Sequence, residues 1–193
     1  MTQKIENAKE RLMACGKKYL LANDHGQFGR IGIRQLTTEC GMALGTFYRY
    51  FVSKDDLVMK IMEKDWEDAV KSIDATIASD TPMYDKVKGV YEEIGTFDRN
   101  YYYSAMRMFN PTEEAVAFKK KNEAMMYDKI QALLEEEIQK GKLILDADPK
   151  DAAYFLIQIF LACARRDDIT FEELWKCMTF RLADEEKKPA EEG

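Results

Sequence analysis

Apolar residues recur along the chain three and four positions apart, the spacing of one face of an α-helix. Ile5, Ala8, Leu12, Cys15, Tyr19 and Ala22 trace such a face over about 4–23. Ile33 and Leu36 mark a shorter helix, 33–40, that stops at Gly41, and Phe47 and Phe51 mark another over about 44–51. A fourth helix starts at Ser53 and runs to about Ser79 with Leu57, Ile61, Trp66, Val70, Ile73 and Ile77 on its stripe. Ser53 and Asp56 stand there at the spacing of a capping box. Further helices are predicted near 82–95, 98–109, 112–140, 150–166 and 170–184. Pro82, Pro111 and Pro149 fall at predicted helix starts, where a missing N–H costs nothing. No stretch alternates apolar and polar residues between hairpin turn signals, so no sheet is expected. The pattern predicts an all-α chain of about nine helices.

Composition narrows the function classes. A chain of 193 residues suits one large domain or two small ones. The longest apolar run, AAYFLIQIFLACA at 152–164, is broken by Gln158 and is too short to span a bilayer. IENAKERLMACGKK near the N-terminus is charged throughout, unlike a signal peptide, so a cytoplasmic location without a membrane partner is expected. The four cysteines (Cys15, Cys40, Cys163, Cys177) have no metal-ligand spacing and read as small buried thiols of a reduced compartment. His25, the only histidine, precedes Gly26 in a helix-end position and has no second histidine with which to hold a metal. No metal and no cofactor are expected. Without a nucleophile elbow, phosphate-binding glycine loop or paired-carboxylate motif, the chain is not expected to be an enzyme.

The net charge of −6 hides an asymmetry. Residues 1–60 hold ten Lys/Arg against six Asp/Glu, net +4, whereas 61–193 hold nineteen against twenty-nine, net −10. A basic head on an acidic body points the head toward polyanions. Within that head, 33–51 is a helix of about two turns, a link containing Gly41, and a second short helix. This is the helix-turn-helix plan, which offers its second helix to the DNA major groove. With Phe47 and Phe51 turned inward, Thr46, Tyr48 and Arg49 fall on other faces, and Gly45 permits close backbone approach to a neighbour. The Tyr48 hydroxyl and the Lys54 ammonium suit phosphate. Beside Lys54 the next helix start adds N–H groups and a positive dipole end.

The stretch CGMALGTFYRYFVSKDDL, preceded by IRQLTTE, resembles the DNA-binding domain of the TetR family of bacterial transcriptional repressors. Upstream, LMACGKKYLLANDHG resembles the family's first helix through Leu12, Cys15, Gly16, Tyr19 and Leu20. The resemblance spans about 12–60. It implies that Tyr48 and Lys54 contact phosphate, that Gly45 and Thr46 open the recognition helix, and that Arg34 contacts phosphate from the start of the second helix. Arg49 occupies a variable position and becomes the candidate for reading a base, since Arg to guanine is the commonest specific contact. Five positions depart from the family's usual form. Ala43 and Gly32 stand where capping hydroxyls are usual, and Leu36-Thr37 replaces Ile-Ala. Leu44 replaces a polar residue, and there it either meets a thymine methyl or weakens DNA affinity.

The resemblance further implies a three-helix DNA-binding head, 1–56, and a helical ligand-binding and dimerisation bundle, 57–193. Segments 148–167 and 169–184 resemble the final helix pair through which family members dimerise. The 152–164 run is apolar nearly all round, so its own core and a partner both have a face to bury. Phe155, Ile159, Leu174, Trp175 and Met178 are the expected dimer residues. Aromatics and thioethers crowd the middle of the chain, and Tyr91, Phe97, Tyr102, Met106, Phe109, Met126 and Tyr127 are the expected lining for an apolar or aromatic small molecule. The expected function is a ligand-responsive DNA-binding regulator, a repressor that binds a palindromic operator as a homodimer and is released by a small molecule. The alternative is a helical small-molecule or protein-binding module without useful DNA affinity, motivated by Ala43 and Leu44.

Overall fold

The computed structural model describes residues 2–21, 31–107, 113–166, 168–178 and 181–182. Among these, eight helices run in order: α1 (Thr2–Leu20), α2 (Ile33–Glu39), α3 (Leu44–Tyr48), α4 (Lys54–Ala78), α5 (Met83–Arg107), α6 (Glu113–Gln139), α7 (Pro149–Cys163) and α8 (Phe171–Cys177). The chain divides into two compact units, residues 1–70 with 100–110, and residues 71–99 with 111–193. Helices α4 and α5 contribute to both.

In the first unit Leu12, Leu36, Phe47, Phe51, Leu57 and Ile61 form the core, all but fully buried. A glycine at position 16 is what lets α1 lie against α4. A Cβ there would stand 3.0 Å from Leu57 Cδ2 and 3.1 Å from Ile61 Cδ1. The turn after α2 is a Schellman motif: Met42 N–H donates to the Thr37 carbonyl (2.8 Å) and Gly41 N–H to the Thr38 carbonyl (3.0 Å). Gly41 adopts φ +66°, a left-handed conformation that costs side-chain-bearing residues about 1–2 kcal/mol. Asp65 of α4 accepts from Lys17 Nζ at 2.6 Å and also from the buried Tyr101 hydroxyl. Burial, and then that bond to the Asp65 carboxylate, raises the Tyr101 pKa.

In the second unit α6 buries Met126, Ile130, Leu133, Leu134 and Glu137, and α7 buries Ala153, Leu156, Ile157 and Phe160. Asp148 caps α7 by accepting from Lys150 N–H (2.8 Å), with Pro149 as its first helical residue. Thr170 and Glu173 cap α8 reciprocally. Glu137 accepts from Lys86 at 3.1 Å and from Lys140 at 3.2 Å, and both Lys86 and Glu137 are buried. Burial raises the Glu137 pKa, but the bonds from the two lysines outweigh it and hold the carboxyl below its ordinary value.

Several expectations are corrected. Helices predicted near 82–95 and 98–109 are one helix, α5. Within it Gly95 is a close-approach residue, since a Cβ there would come within 3.1 Å of Ala164 Cβ. Arg99 reinforces that contact by donating to the Ala164 carbonyl at 3.1 Å. The helix predicted over 170–184 ends at Cys177, and a two-residue antiparallel pairing, absent from the expectation, joins β1 (Leu143–Ile144) to β2 (Arg181–Leu182). Cys15 and Cys40 are not separate buried thiols: they form a disulfide with their Cα atoms 6.1 Å apart. Cys163 and Cys177 are free, one half-buried and the other exposed. His25 lies outside the described residues. No helix among the described residues is long and apolar enough to cross a membrane.

Candidate nucleic-acid interface

Phe47 and Phe51 stand four residues apart at the end of the helix-turn-helix, their ring centroids separated by 5.4 Å and both side chains inside the core. Anchoring these two rings forces the residues between and beside them outward. Tyr48 is 56 % exposed and rests edge-on against Phe47, with centroids 5.4 Å apart. Arg49 is exposed, and Leu44 and Thr46 are half-buried. The outer side of α3 therefore carries a hydroxyl and a guanidinium on a fixed aromatic base.

The departures from the family's pattern have identifiable consequences. Ala43 and Gly32 hold extended N-cap conformations without side-chain capping bonds. A missing Ser or Thr cap costs about 1 kcal/mol, and less where glycine stands. Thr37 is buried where the family's usual residue is Ala, and its hydroxyl is satisfied by donating to the Arg34 carbonyl at 2.9 Å. Arg34 itself is exposed at the start of α2. Gly45 makes no close approach among the described residues. Among them its Cβ position is open space.

Lys54, expected at phosphate, also has a partner within the chain. Its Nζ donates to the Ile31 carbonyl at 3.2 Å, joining the first residue of α4 to the segment before α2. Burial lowers its pKa, opposed by the neighbouring Asp55 carboxylate. The helix start beside it is also less open than expected. Ser53 Oγ accepts from Asp56 N–H at 3.0 Å, while Asp56 Oδ2 accepts from Val52 N–H at 2.9 Å. This box reaches back one residue further than the usual form. Sequence reasoning missed the bond from Arg11 to the Cys40 carbonyl (3.1 Å) and the Cys15–Cys40 link, which together hold α1 to the end of α2. Two cysteines 25 positions apart without a motif carry no pairing signal.

Of the expected ligand residues, Tyr91 is buried against Phe160 and Phe171, with centroids 5.3 Å and 5.2 Å away, and Met126 is buried in α6. Phe97 and Tyr127 are half-buried, and the Tyr127 hydroxyl accepts from Gln158 at 2.8 Å. The side chains of Tyr102 and Met106 and the whole of Phe109 lie outside the described residues. Of the expected dimer residues, Phe155 is 63 % exposed and Ile159 is exposed beside it, together with Tyr154. Trp175 and Met178 are half-buried, whereas Leu174 is buried.

Residues 23–61 match the profile described as bacterial regulatory proteins, tetR family. Comparison of the sequence with curated proteins found no match. Among solved structures, the chain is similar to a transcriptional regulator of the TetR/AcrR family from Thermobifida fusca, at 18 % identity and TM-score 0.70, over 89 % of this chain and 93 % of that one. It is similar to the reduced form of NemR from E. coli at 18 % identity and TM-score 0.68, over 88 % and 93 %. SmeT in complex with triclosan matches at 15 % identity and TM-score 0.58, over 82 % and 78 %. These likenesses show a common fold.

Proposed function

We propose, from the premise that the N-terminal head is a tetR-family helix-turn-helix domain on a DNA-binding regulator's fold, that this chain is a cytoplasmic repressor. It binds a palindromic operator as a homodimer through residues 1–56 and is released by a small molecule held in 57–193. One observation carries this reading: Tyr48 and Arg49 project from α3 while Phe47 and Phe51 pin the helix from behind. Arg34 and Tyr48 then serve phosphate and Arg49 reads a base, with Leu44, Gly45 and Thr46 at the groove. Half-buried Lys54 is a further phosphate contact.

Exposed Phe155 and Ile159 on α7 support a homodimer, because α7 buries its opposite face at home and leaves these apolar side chains for a second copy. Half-buried Trp175 and Met178 on and beside α8 are further candidates for that interface, whereas Leu174 is buried. A neighbour of the same fold holds triclosan, which supports an apolar or aromatic ligand. Half-buried Phe97 and Tyr127 and buried Tyr91 and Met126 are its candidates within the second unit. Ligand and DNA then oppose each other by the same factor in both directions.

Arg49→Ala is expected to lose about 1–3 kcal/mol on the preferred duplex and to relax preference at one base position. Tyr48→Phe, which removes one bond to a charged phosphate, is expected to weaken all sequences alike by about 1.5–3 kcal/mol. Fluorescence anisotropy on preferred and scrambled duplexes separates the two, and an unchanged preference in Arg49→Ala would remove the base-reading role. The uncapped start of α3 at Ala43 favours a second reading, a helical binding module without useful DNA affinity. Absence of binding to any duplex at low salt is its signature.

A further inference from the structure

We infer that Cys15 and Cys40 are a thiol–disulfide switch that sets the DNA affinity of the head, an inference that rests on the DNA-binding reading above. The placement of the pair carries it. Cys15 lies on α1, and Cys40 is the C-cap residue of α2, immediately before the left-handed Gly41. Their Cα atoms are 6.1 Å apart, inside the range a disulfide bridges without moving the backbone. The link thus fastens α1 to the turn that sets the angle between α2 and α3, and so the direction in which Tyr48 and Arg49 point.

Arg11 donates to the Cys40 carbonyl at 3.1 Å, but that bond is exposed to solvent. Covalent closure removes more freedom from the open state the longer the loop, and here the two cysteines are 25 positions apart. Both cysteines are half-buried, so small thiols and disulfides can reach them, unlike a sealed core cysteine. In a reducing compartment, disulfides that do form are characteristically transient and redox-sensing. Cys163 and Cys177 lie in the other unit, unpaired with each other, and serve as internal controls.

The oxidant is a low-molecular-weight disulfide such as oxidised glutathione. One cysteine thiolate attacks its S–S bond, forming a mixed disulfide and releasing one glutathione thiolate. The second cysteine then attacks the protein-side sulfur, closes the Cys15–Cys40 bond and releases the second glutathione. Two electrons and the two thiol protons end on two reduced glutathione molecules. Closure holds the head in the arrangement seen here and tightens DNA binding. Reduction loosens the turn and weakens it.

The test uses the full chain, equilibrated in buffers from reduced to oxidised glutathione. Peptide mapping without reductant reads the link, and anisotropy reads binding to a short mixed-sequence duplex at low salt. The oxidised chain is expected to bind at least about five-fold more tightly, the low end of couplings between linked events. Cys15→Ser and Cys40→Ser should bind as the reduced chain does in both buffers, whereas Cys163→Ser with Cys177→Ser should retain the response. Free thiols at 15 and 40 across the whole titration, or equal affinity in the linked and unlinked wild-type chain, would overturn the switch. No binding in either buffer with the link present overturns the DNA-binding reading, and the output of the switch falls with it.

Discussion

Phe47→Ala is expected to remove about 3–5 kcal/mol from the stability of the head, the usual cost of truncating a fully buried phenylalanine. Phe47 is 0 % exposed and meets the rings of both Tyr48 and Phe51. It is the fixed point from which α3 presents its outer side chains. Domains of this size hold about 5–15 kcal/mol in all, so the loss takes a large share of the head's reserve. Urea unfolding checks the number, and DNA binding should fall although Phe47 cannot itself touch DNA. Phe47→Leu, which leaves a smaller cavity, should cost less. Arg49→Ala provides the contrast, with stability expected within about 0.5 kcal/mol of wild type because an exposed side chain leaves no cavity. Equal stability of Phe47→Ala and wild type would mean that the recognition helix is anchored by something other than this ring.

Glu137→Gln is expected to cost about 3–5 kcal/mol in the second unit, because it strands the buried Lys86 ammonium without a counter-charge. Removing both charges, with Lys86→Met and Glu137→Leu together, should recover most of that loss or exceed wild type. The desolvation cost of the pair then disappears along with its attraction. The pH dependence has a definite sign. The folded-state pKa of Glu137 is depressed, so its contribution is fully present above the unfolded carboxyl value of about 4.3 and fades as pH falls through the lower folded value. The gap between wild type and Glu137→Gln in urea unfolding should therefore be wide at neutral pH and narrow in strong acid. A gap that does not change with pH would assign the effect to packing rather than charge.

Features governed by local chemistry were legible in the sequence. The four-residue spacing of Phe47 and Phe51 placed both rings inward and Tyr48 outward, as found. Gly41 ended α2 where only a glycine adopts the required φ easily, and Ser53 capped α4. What escaped depends on neighbours distant in sequence. The apolar pattern predicts two helices where 83–107 forms one, and nothing in the sequence marks Gly95 as the residue against which Ala164 packs. The bond from Lys54 to the Ile31 carbonyl, 23 positions away, left no sign in the sequence. The apolar stripe of 170–184 suggested one helix, yet Arg181 and Leu182 pair with Ile144 and Leu143. Cys15 and Cys40 carried no sign of their meeting because α1 and α2 bring them together only in three dimensions. In the candidate dimer surface, Phe155 and Leu174 carried equal hydrophobic signals. Only packing distinguishes the exposed residue from the buried one.

Selection from random duplex DNA with the purified full chain, at moderate salt and followed by sequencing, tests most directly whether the head reads sequence. The predicted result is an enriched imperfect palindrome with half-sites about one helical turn apart or slightly more, the spacing that two heads on successive major grooves demand. Its most constrained position should relax when the selection is repeated with Arg49→Ala. No enrichment at moderate or at low salt would contradict a sequence-specific regulator and leave a helical binding module whose partner is not DNA.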